Sequence, residues 1–421
     1  MPLVTSHALP SSSPAAQGVD SAGIGRFLDV LESDPSIEPH GVMLLRHGHV
    51  IAEGWWRPFE PDRLHLLYSL SKTFTVTALG FAIAEGLVAL DDRVVDHFPE
   101  FAAEITGERS RAMRVRDVAA MASGHAGEML DVAVSTDPEE PVRGFLLHEP
   151  ESEPGTRFAY NQPATYSVAA IVQRAAGTSL AEYLRPRLLD PLGIGPVAWQ
   201  QHPDGRDIGF SGLHATTAAI AALGQLYLQD GRWEGRQLLP EGWAEQVRTK
   251  RVETAPTQTN PDWMQGYGYQ VWRSRHGYRG DGAFGQYCLI LPEQDAVVAI
   301  TESTDEMQAV LDAVWEHLLP AFRDEPLDGS GDEALAARLA GLELPETGGA
   351  SRPPAGEEWA GRYEPIGVPA LEAVELAADG DRWTATLMAG ADRVTVPVGR
   401  PGWHVVEGED GVAPVAASGG W

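Results

Sequence analysis

Leu67-Tyr68-Ser69-Leu70-Ser71-Lys72-Thr73-Phe74 places a serine and a lysine at i and i+3, at the head of a run, Thr73 to Leu90, with apolar residues (Phe74, Ala78, Leu79, Phe81, Ala82) at helical spacing. In the first turn of that helix, Ser69 and Lys72 share one face and their side chains can touch. A serine hydroxyl is a weak nucleophile until a base takes its proton, and a desolvated lysine can be that base. The helix start adds backbone N–H groups and a positive end, which suit a developing oxyanion. Ser-x-x-Lys recurs by chance, and alone it reads equally well as an N-cap serine followed by a surface lysine. Composition sharpens it, because only Lys72 and Lys250 among the 31 basic residues are lysines. Arginine is effectively never a base in a protein, whereas lysine changes its pKa readily on burial. Lysine therefore stands where a base is needed in a chain that otherwise uses arginine.

The elements that must position this pair are carried by 421 residues, a length that suggests two or three domains. The hydrophobic fraction of 43% is ordinary for a soluble globular protein. With a net charge of −29 and no basic cluster, nucleic acid and anionic membrane surfaces are poor partners. The single cysteine, Cys288, excludes an internal disulfide framework and fits a reducing compartment. Met1 to Gln17 has neither a charged n-region nor an apolar h-region, so no signal peptide is expected and the expected location is cytoplasmic. No apolar run approaches the length of a membrane span. No His/Cys/Asp cluster has metal-ligand spacing, so neither metal nor cofactor is expected. The composition leaves the oligomeric state open.

Residues 1–17 read as a loose arm, and Asp20 to Leu31 as an amphipathic helix with Ile24, Phe27, Leu28 and Leu31 on one face. Gly41 to Trp56 reads as a hairpin turning near His47-Gly48. After the Ser69 helix and a polar turn at Asp91-Asp92, a helix is expected over Met113 to Ala122. Residues 125–155 read as an acidic loop. Further helices are expected at Thr165 to Ala176, Leu180 to Leu189 and Thr216 to Gln229. Strands are expected at Tyr267 to Trp272, Gln286 to Leu291 and Ala296 to Thr301, with a closing helix at Met307 to Phe322. The pattern implies an α+β fold, an antiparallel sheet with strands from both ends of the chain, flanked by helices and enclosing a helical subdomain. The expected division is a domain over 1–323, a linker over 324–357 carrying one short helix (Glu333 to Ala340), and a small β module over 358–421. That module is expected to be incomplete at Trp421, where a further strand could begin.

A serine–lysine pair needs a further proton relay and an oxyanion hole. Pro154 to Gln162 leads into the helix at Thr165 and offers Tyr160, whose phenol could point at Ser69; for a lone tyrosine, packing on a turn is the blander alternative. Tyr278-Arg279-Gly280-Asp281-Gly282-Ala283-Phe284-Gly285-Gln286-Tyr287 is dense in glycine just before a strand, which lets backbone approach a ligand closely, or makes an ordinary glycine-rich hairpin. These glycines do not lead from a strand into a helix, so no nucleotide fingerprint is read there. His65, His125 and His276 read as structural, and Trp55, Trp56, Trp263 and Trp272 as core or rim.

With these three stretches in this order, the chain resembles the serine β-lactamase and penicillin-binding-protein superfamily, most closely the class C-type branch of esterases, D-aminopeptidases and amide-dimer hydrolases. The resemblance covers about residues 15–322. It rests also on Met113 to Asp117 leading to Met121-Ala122-Ser123-Gly124-His125, on Gly209-Phe210-Ser211-Gly212-Leu213, and on Gly285-Gln286-Tyr287 through Leu291-Pro292-Glu293. It implies Ser69 as the acylated nucleophile and Lys72, neutral at rest, as its base. It implies Tyr160 as the relay to the leaving group and the deacylating water, and N–H groups of Ser69 and of a residue near Gly282 as the oxyanion hole. The chain departs from the family in two places. Tyr160 is followed by Asn161-Gln162, so Asn161 or Gln162 takes the place of the motif asparagine. The third motif is replaced by Arg279-Gly280-Asp281, where Arg279 could hold a substrate carboxylate and Asp281 would discourage one. Both departures weaken the case for β-lactam hydrolysis and leave the acyl-transfer core untouched. The expectation is a serine hydrolase acting on a small ester, amide or short peptide. The alternatives are a D-amino-acid or small-peptide amidase, a biosynthetic transacylase, and a non-catalytic binding or sensor module.

Overall fold

Apolar residues dominate Val42 to Leu45 and Ala296 to Ile300, and runs of that kind form strands buried on both faces. The computed structural model describes residues 9–355, 358–368, 371–380, 382–390, 392–406 and 414–421. The described chain divides into two compact units, one of Met1–Trp55 and Pro61–Ala340, the other of Trp56–Glu60 and Gly341–Trp421.

The first unit begins with helix α1 (Ser21–Ser33), capped by the Asp20 carboxylate on the Ala22 N–H at 3.0 Å. A cap of this kind contributes about 1 kcal/mol. Its inner face buries Ile24, Phe27, Leu28 and Leu31 as the spacing required. Strands β1 (Glu38–Arg46) and β2 (His49–Trp55) make the hairpin, and α2 (Ser71–Ala84) follows the Ser69 turn. Next come α3 (Leu130–Thr136), α4 (Pro141–Leu147), α5 (Gln162–Ala176) and α6 (Thr217–Leu228). The chain then returns to the sheet through β3 (Trp272–Arg273), β4 (Tyr278–Gly282), β5 (Gln286–Leu291) and β6 (Ala296–Ser303), and ends in α7 (Met307–Ala313), extended by tighter and wider turns to Ala321. The six strands lie in the order β2-β1-β6-β5-β4-β3, with every pairing antiparallel. Strands from the two ends of the chain therefore meet at the middle of the sheet, with Leu44 opposite Val298. Helix α6 packs on the sheet closely enough that a Cβ on its Gly224 would stand 2.6 Å from Val297 Cγ1.

Several boundaries differ from the sequence reading, each for a local reason. The described part of the N-terminal arm is tied down, with Ser12 N–H on the Val50 carbonyl at 2.9 Å and Val50 N–H on the Pro10 carbonyl at 2.8 Å; residues 1–8 lie outside the described residues. The helix expected over Met113 to Ala122 is confined to Val115–Ala119, because Met121 takes a left-handed φ of 55°. The acidic stretch 125–155 is not a loop. It holds α3 and α4, which cross where Gly144 leaves room for the Ala133 carbonyl, a Cβ there standing only 2.1 Å from that oxygen. Val142, Phe145 and Leu146 are buried while most of the acidic residues face outward, which hid the helices from a composition reading. Tyr267 to Trp272 is not one strand. Gln270 has φ 58°, and its buried amide donates to the Ala119 carbonyl at 2.9 Å, so only Trp272 and Arg273 join the sheet. The glycine-dense stretch is a hairpin, with Tyr278–Gly282 a fully buried strand paired with Gln286–Leu291. The short helix expected in the linker is Asp332–Leu339, and Arg338 on it pairs with Asp29 and Glu32 of α1.

In the second unit, Gly361–Tyr363, Ala373–Asp379, Arg382–Ala389 and Asp392–Val398 form a four-stranded antiparallel sheet, beside a two-stranded ribbon of Arg400–Val406 and Val415–Gly419. Ala373, Ala385, Met388 and Val396 are buried there, and Trp421 meets the rings of Trp359 and Trp383 with centroids at 5.6 and 5.0 Å.

Candidate active site

Helix α2 is buried around its whole circumference from Ser71 to Ala82, as expected of a central core helix. Its N-terminus carries the serine–lysine pair. Ser69 itself lies one step earlier than expected, in a short 3-10 turn of Tyr68–Leu70 that runs into the helix. Tyr68 holds a left-handed φ of 46°, an outlier for a bulky residue. The turn is clamped by Ser71, whose hydroxyl donates to the Tyr68 carbonyl at 2.6 Å and accepts the Leu213 N–H at 3.1 Å.

Lys72 is 1% exposed. Its Nζ stands 2.9 Å from Ser69 Oγ and donates to the Phe210 carbonyl at 2.7 Å. Burial pushes the ammonium down to about 7, against the opposing pull of the Glu128 and Asp281 charges. An amine in that range is partly neutral near pH 7 and has a lone pair for the Ser69 proton. The Gly209-Phe210 backbone that receives Lys72 is anchored by Thr75 Oγ1, which donates to the Gly209 carbonyl at 2.7 Å.

Tyr160 lies on the other side of the pair. Lys72 Nζ is 4.8 Å from its ring centroid, and the Ser69 side chain stands near enough to act on its phenol. Burial raises its phenol far above the usual range, so it enters as a neutral hydroxyl. Its ring stacks on Trp272, with centroids 5.5 Å apart and planes at 13°. The structure thus brings Ser69, Lys72 and Tyr160 together.

The two residues after Tyr160 do not join them. Asn161 is buried and faces the 121–129 segment, where its Oδ1 accepts the Met129 N–H at 3.2 Å and its Nδ2 reaches Ser123 Oγ at 3.5 Å. Gln162 starts α5 and gives its N–H to the Glu128 carboxylate, 3.1 Å from each oxygen. Glu128 also accepts the Met129 and Leu130 N–H groups at 2.9 Å, which fixes a carboxylate beside α5 whose charge Lys72 and Tyr160 both feel.

The third stretch acts through its glycines. A Cβ on Gly280 would stand 2.3 Å from Thr73 Oγ1, and one on Gly282 2.2 Å from the Leu67 carbonyl. Both positions must be bare for β4 to lie against the Ser69 turn, so the end of β4 is brought beside the serine. Arg279 and Asp281 point to the opposite face. Arg279 is fully buried and pairs with Asp281 at 3.0 Å. It donates to Ser274 Oγ at 2.6 Å and to the Asp262 carbonyl at 3.0 Å, and it lies over the Trp263 ring at 4.3 Å. The charge expected to meet a substrate carboxylate is therefore paired inside the protein. Burial raises the Asp281 carboxyl, against the pull of Arg279.

His65 keeps a structural place, its Nε2 2.7 Å from His40 Nδ1. His125 ties the 121–129 segment down, its Nε2 donating to the His148 carbonyl at 2.9 Å while Nδ1 accepts from Ser123 at 3.1 Å. Among the described residues, no group of three or more His, Cys, Asp or Glu could hold a metal ion, and no helix is long and apolar enough to cross a membrane. Sequence reasoning missed Phe210, Glu128 and the stacking role of Trp272. A backbone carbonyl carries no side-chain signal, and Glu128 was one acid among many.

An antiparallel sheet with the Ser69 helix packed on β4 defines a fold class, and comparison with known proteins gives it a family. The model for the Beta-lactamase family matches residues 39–319, and the chain belongs to that family. The 6-aminohexanoate-dimer hydrolase of Paenarthrobacter ureafaciens is 26% identical over 280 residues, 61% of this chain and 70% of its own. A lovastatin esterase of Penicillium rubens is 25% identical over 166 residues, 34% of this chain and 41% of its own. Among solved structures, the octameric penicillin-binding protein homologue from Pyrococcus abyssi has a TM-score of 0.55 at 16% identity, over 90% of this chain and 89% of its own, a likeness of fold. The two sequence relatives are hydrolases, one of an amide dimer and one of an ester.

Proposed function

We propose that the protein is a serine hydrolase that cleaves a small ester or amide through an acyl-Ser69 intermediate. The observation that carries this reading is the buried Lys72 amine, 2.9 Å from Ser69 Oγ and depressed to about 7 by burial. Neutral Lys72 takes the Ser69 proton as Oγ attacks the carbonyl carbon. The tetrahedral oxyanion sits between the N–H of Ser69 and backbone N–H at the end of β4 near Gly282. Tyr160 passes a proton to the leaving group, which departs as alcohol or amine. Water then attacks the acyl-enzyme, giving a proton back along the same path, and the acid is released with Ser69 restored.

The internal pairing of Arg279 with Asp281 favours substrates without a carboxylate next to the scissile bond, and so disfavours β-lactams within this family. The 6-aminohexanoate-dimer hydrolase and the lovastatin esterase support ester or amide cleavage, while the choice against β-lactams rests on the Arg279–Asp281 pair. The test is intact-protein mass after a fluorophosphonate, with turnover of a p-nitrophenyl ester panel, for the wild type and Ser69→Ala. One adduct on the wild type alone, with turnover lost in the variant, is expected. Equal behaviour of the two proteins would remove the reading and leave a binding or sensor module in its place.

A further inference from the structure

Phe284 sits where turn chemistry does not call for a bulky side chain. It lies in the tight connection between β4 and β5, closed by the Gly285 N–H on the Gly282 carbonyl at 3.2 Å. Its φ is 63°, in a turn position that glycine or asparagine normally takes. Phe284 is one of the large apolar residues left exposed, at 41%, so part of its ring is open to a ligand. The turn is nevertheless held rigidly. Thr304 N–H donates to the Phe284 carbonyl at 3.1 Å, and the buried Gln286 amide donates to the carbonyls of Ala283 and Phe284 at 3.3 Å and of Glu302 at 2.7 Å. A strained, exposed apolar residue in an over-determined turn points to a use outside folding.

Its position supplies the use. The Phe284 ring meets Tyr68 edge-on, with centroids 5.1 Å apart and planes at 65°. Tyr68 precedes Ser69 and is itself left-handed, while Gly282, two residues before Phe284, lies against the Leu67 carbonyl. Phe284 thus stands against the residue that precedes the serine, and both aromatic residues are in a backbone state that their side chains disfavour. We infer that Phe284, braced by Tyr68, is a specificity-determining residue, an apolar wall that receives an alkyl or aryl group of the ester or amide substrate at Ser69. This rests on the acyl-serine reading. The apolar group can belong to the acyl part or to the leaving group, and the two arms of the test tell them apart.

The experiment compares kcat/KM for wild type, Phe284→Gly and Phe284→Leu on p-nitrophenyl acetate against p-nitrophenyl hexanoate, and on methyl acetate against benzyl acetate. Melting temperature and fluorophosphonate labelling of each protein are measured alongside. In one of the two series the preference for the apolar member is expected to fall about tenfold in Phe284→Gly, mainly through KM, and to recover in Phe284→Leu. Phe284→Gly is expected to melt no lower than wild type, because glycine relaxes the left-handed turn; a purely structural phenylalanine would lower it. Normal labelling with unchanged ratios in both series overturns this inference alone. No adduct on wild-type Ser69 removes the acyl-serine reading and this inference with it.

Discussion

Lys72 and Arg279 are both buried cations, on α2 and on the strand packed against it, and the protein neutralises them by opposite means. Lys72 has no carboxylate in hydrogen-bond contact among the described residues, and burial drives its proton off at about 7. Arg279 carries a guanidinium, which keeps its proton in proteins. It is matched by the Asp281 carboxylate at 3.0 Å and by the faces of two tryptophans. One site holds a cation that can become a base, the other an ion pair that holds a sheet edge together. The lesson is that the choice between lysine and arginine separates chemistry from architecture here.

Exchanging the cations has the largest expected effect. Lys72→Arg keeps the charge and removes the base, so it should lose roughly 10³-fold or more in kcat/KM, as much as Lys72→Met. Ester turnover by a Lys72→Arg protein within tenfold of wild type would refute the role. Next in size, Arg279→Met leaves Asp281 buried without its partner and should destabilise the fold by about 3–5 kcal/mol in urea denaturation. Removing both charges with Arg279→Met and Asp281→Leu should restore most of that loss. Lys72→Met should move stability the other way, raising it by about 1–2 kcal/mol, because it removes a cation that folding desolvates. A drop in its urea midpoint would place Lys72 with Arg279 as a structural residue.

The pH dependence sharpens the contrast. The role proposed for Lys72 as base requires the unprotonated amine, so kcat/KM should rise about tenfold per pH unit up to about 7 and level above it. Glu128→Gln removes a charge that favours the ammonium and should move that limb to lower pH. The smallest effect concerns His40 and His65, which burial lowers to about 3 and about 4 from 6.5. Their folded values are depressed, so the stability they preserve is complete above 6.5 and is lost as pH falls toward 4 and then 3. An asparagine in place of either should flatten the acid side of the stability profile, read as urea midpoints between pH 7 and 4.

Ser69, Lys72 and Tyr160 were legible because each is a side chain in a short motif, and because lysine is so scarce in this chain. The antiparallel sheet was legible from apolar runs at both ends. What escaped has physical causes. Tyr278–Gly282 read either as a close backbone approach to a ligand or as a glycine-rich hairpin, because glycine spacing cannot say what lies opposite; Gly280 and Gly282 are bare so that a strand can touch α2 and the Leu67 carbonyl. Arg279 read as a substrate ligand because alternation along a strand cannot tell which face looks at the serine. The helices within 125–155 were masked by acids on their outer surfaces, and Phe210 contributes only a carbonyl.

The order of strands also sets when this protein can exist during its own synthesis. The central β1–β6 pairing joins Leu44 to Val298, so the ribosome must release nearly the whole first unit before the middle of the sheet can close. Until then β1 keeps an open edge, and the β4–β5 hairpin that lies against the Ser69 turn has no strand joining it to β1. Such long-range closure is slow and leaves strand edges exposed to neighbouring chains. Nascent chains stalled before residue 296 should remain protease-sensitive and unreactive toward a fluorophosphonate, and should gain both protection and labelling together once β6 emerges.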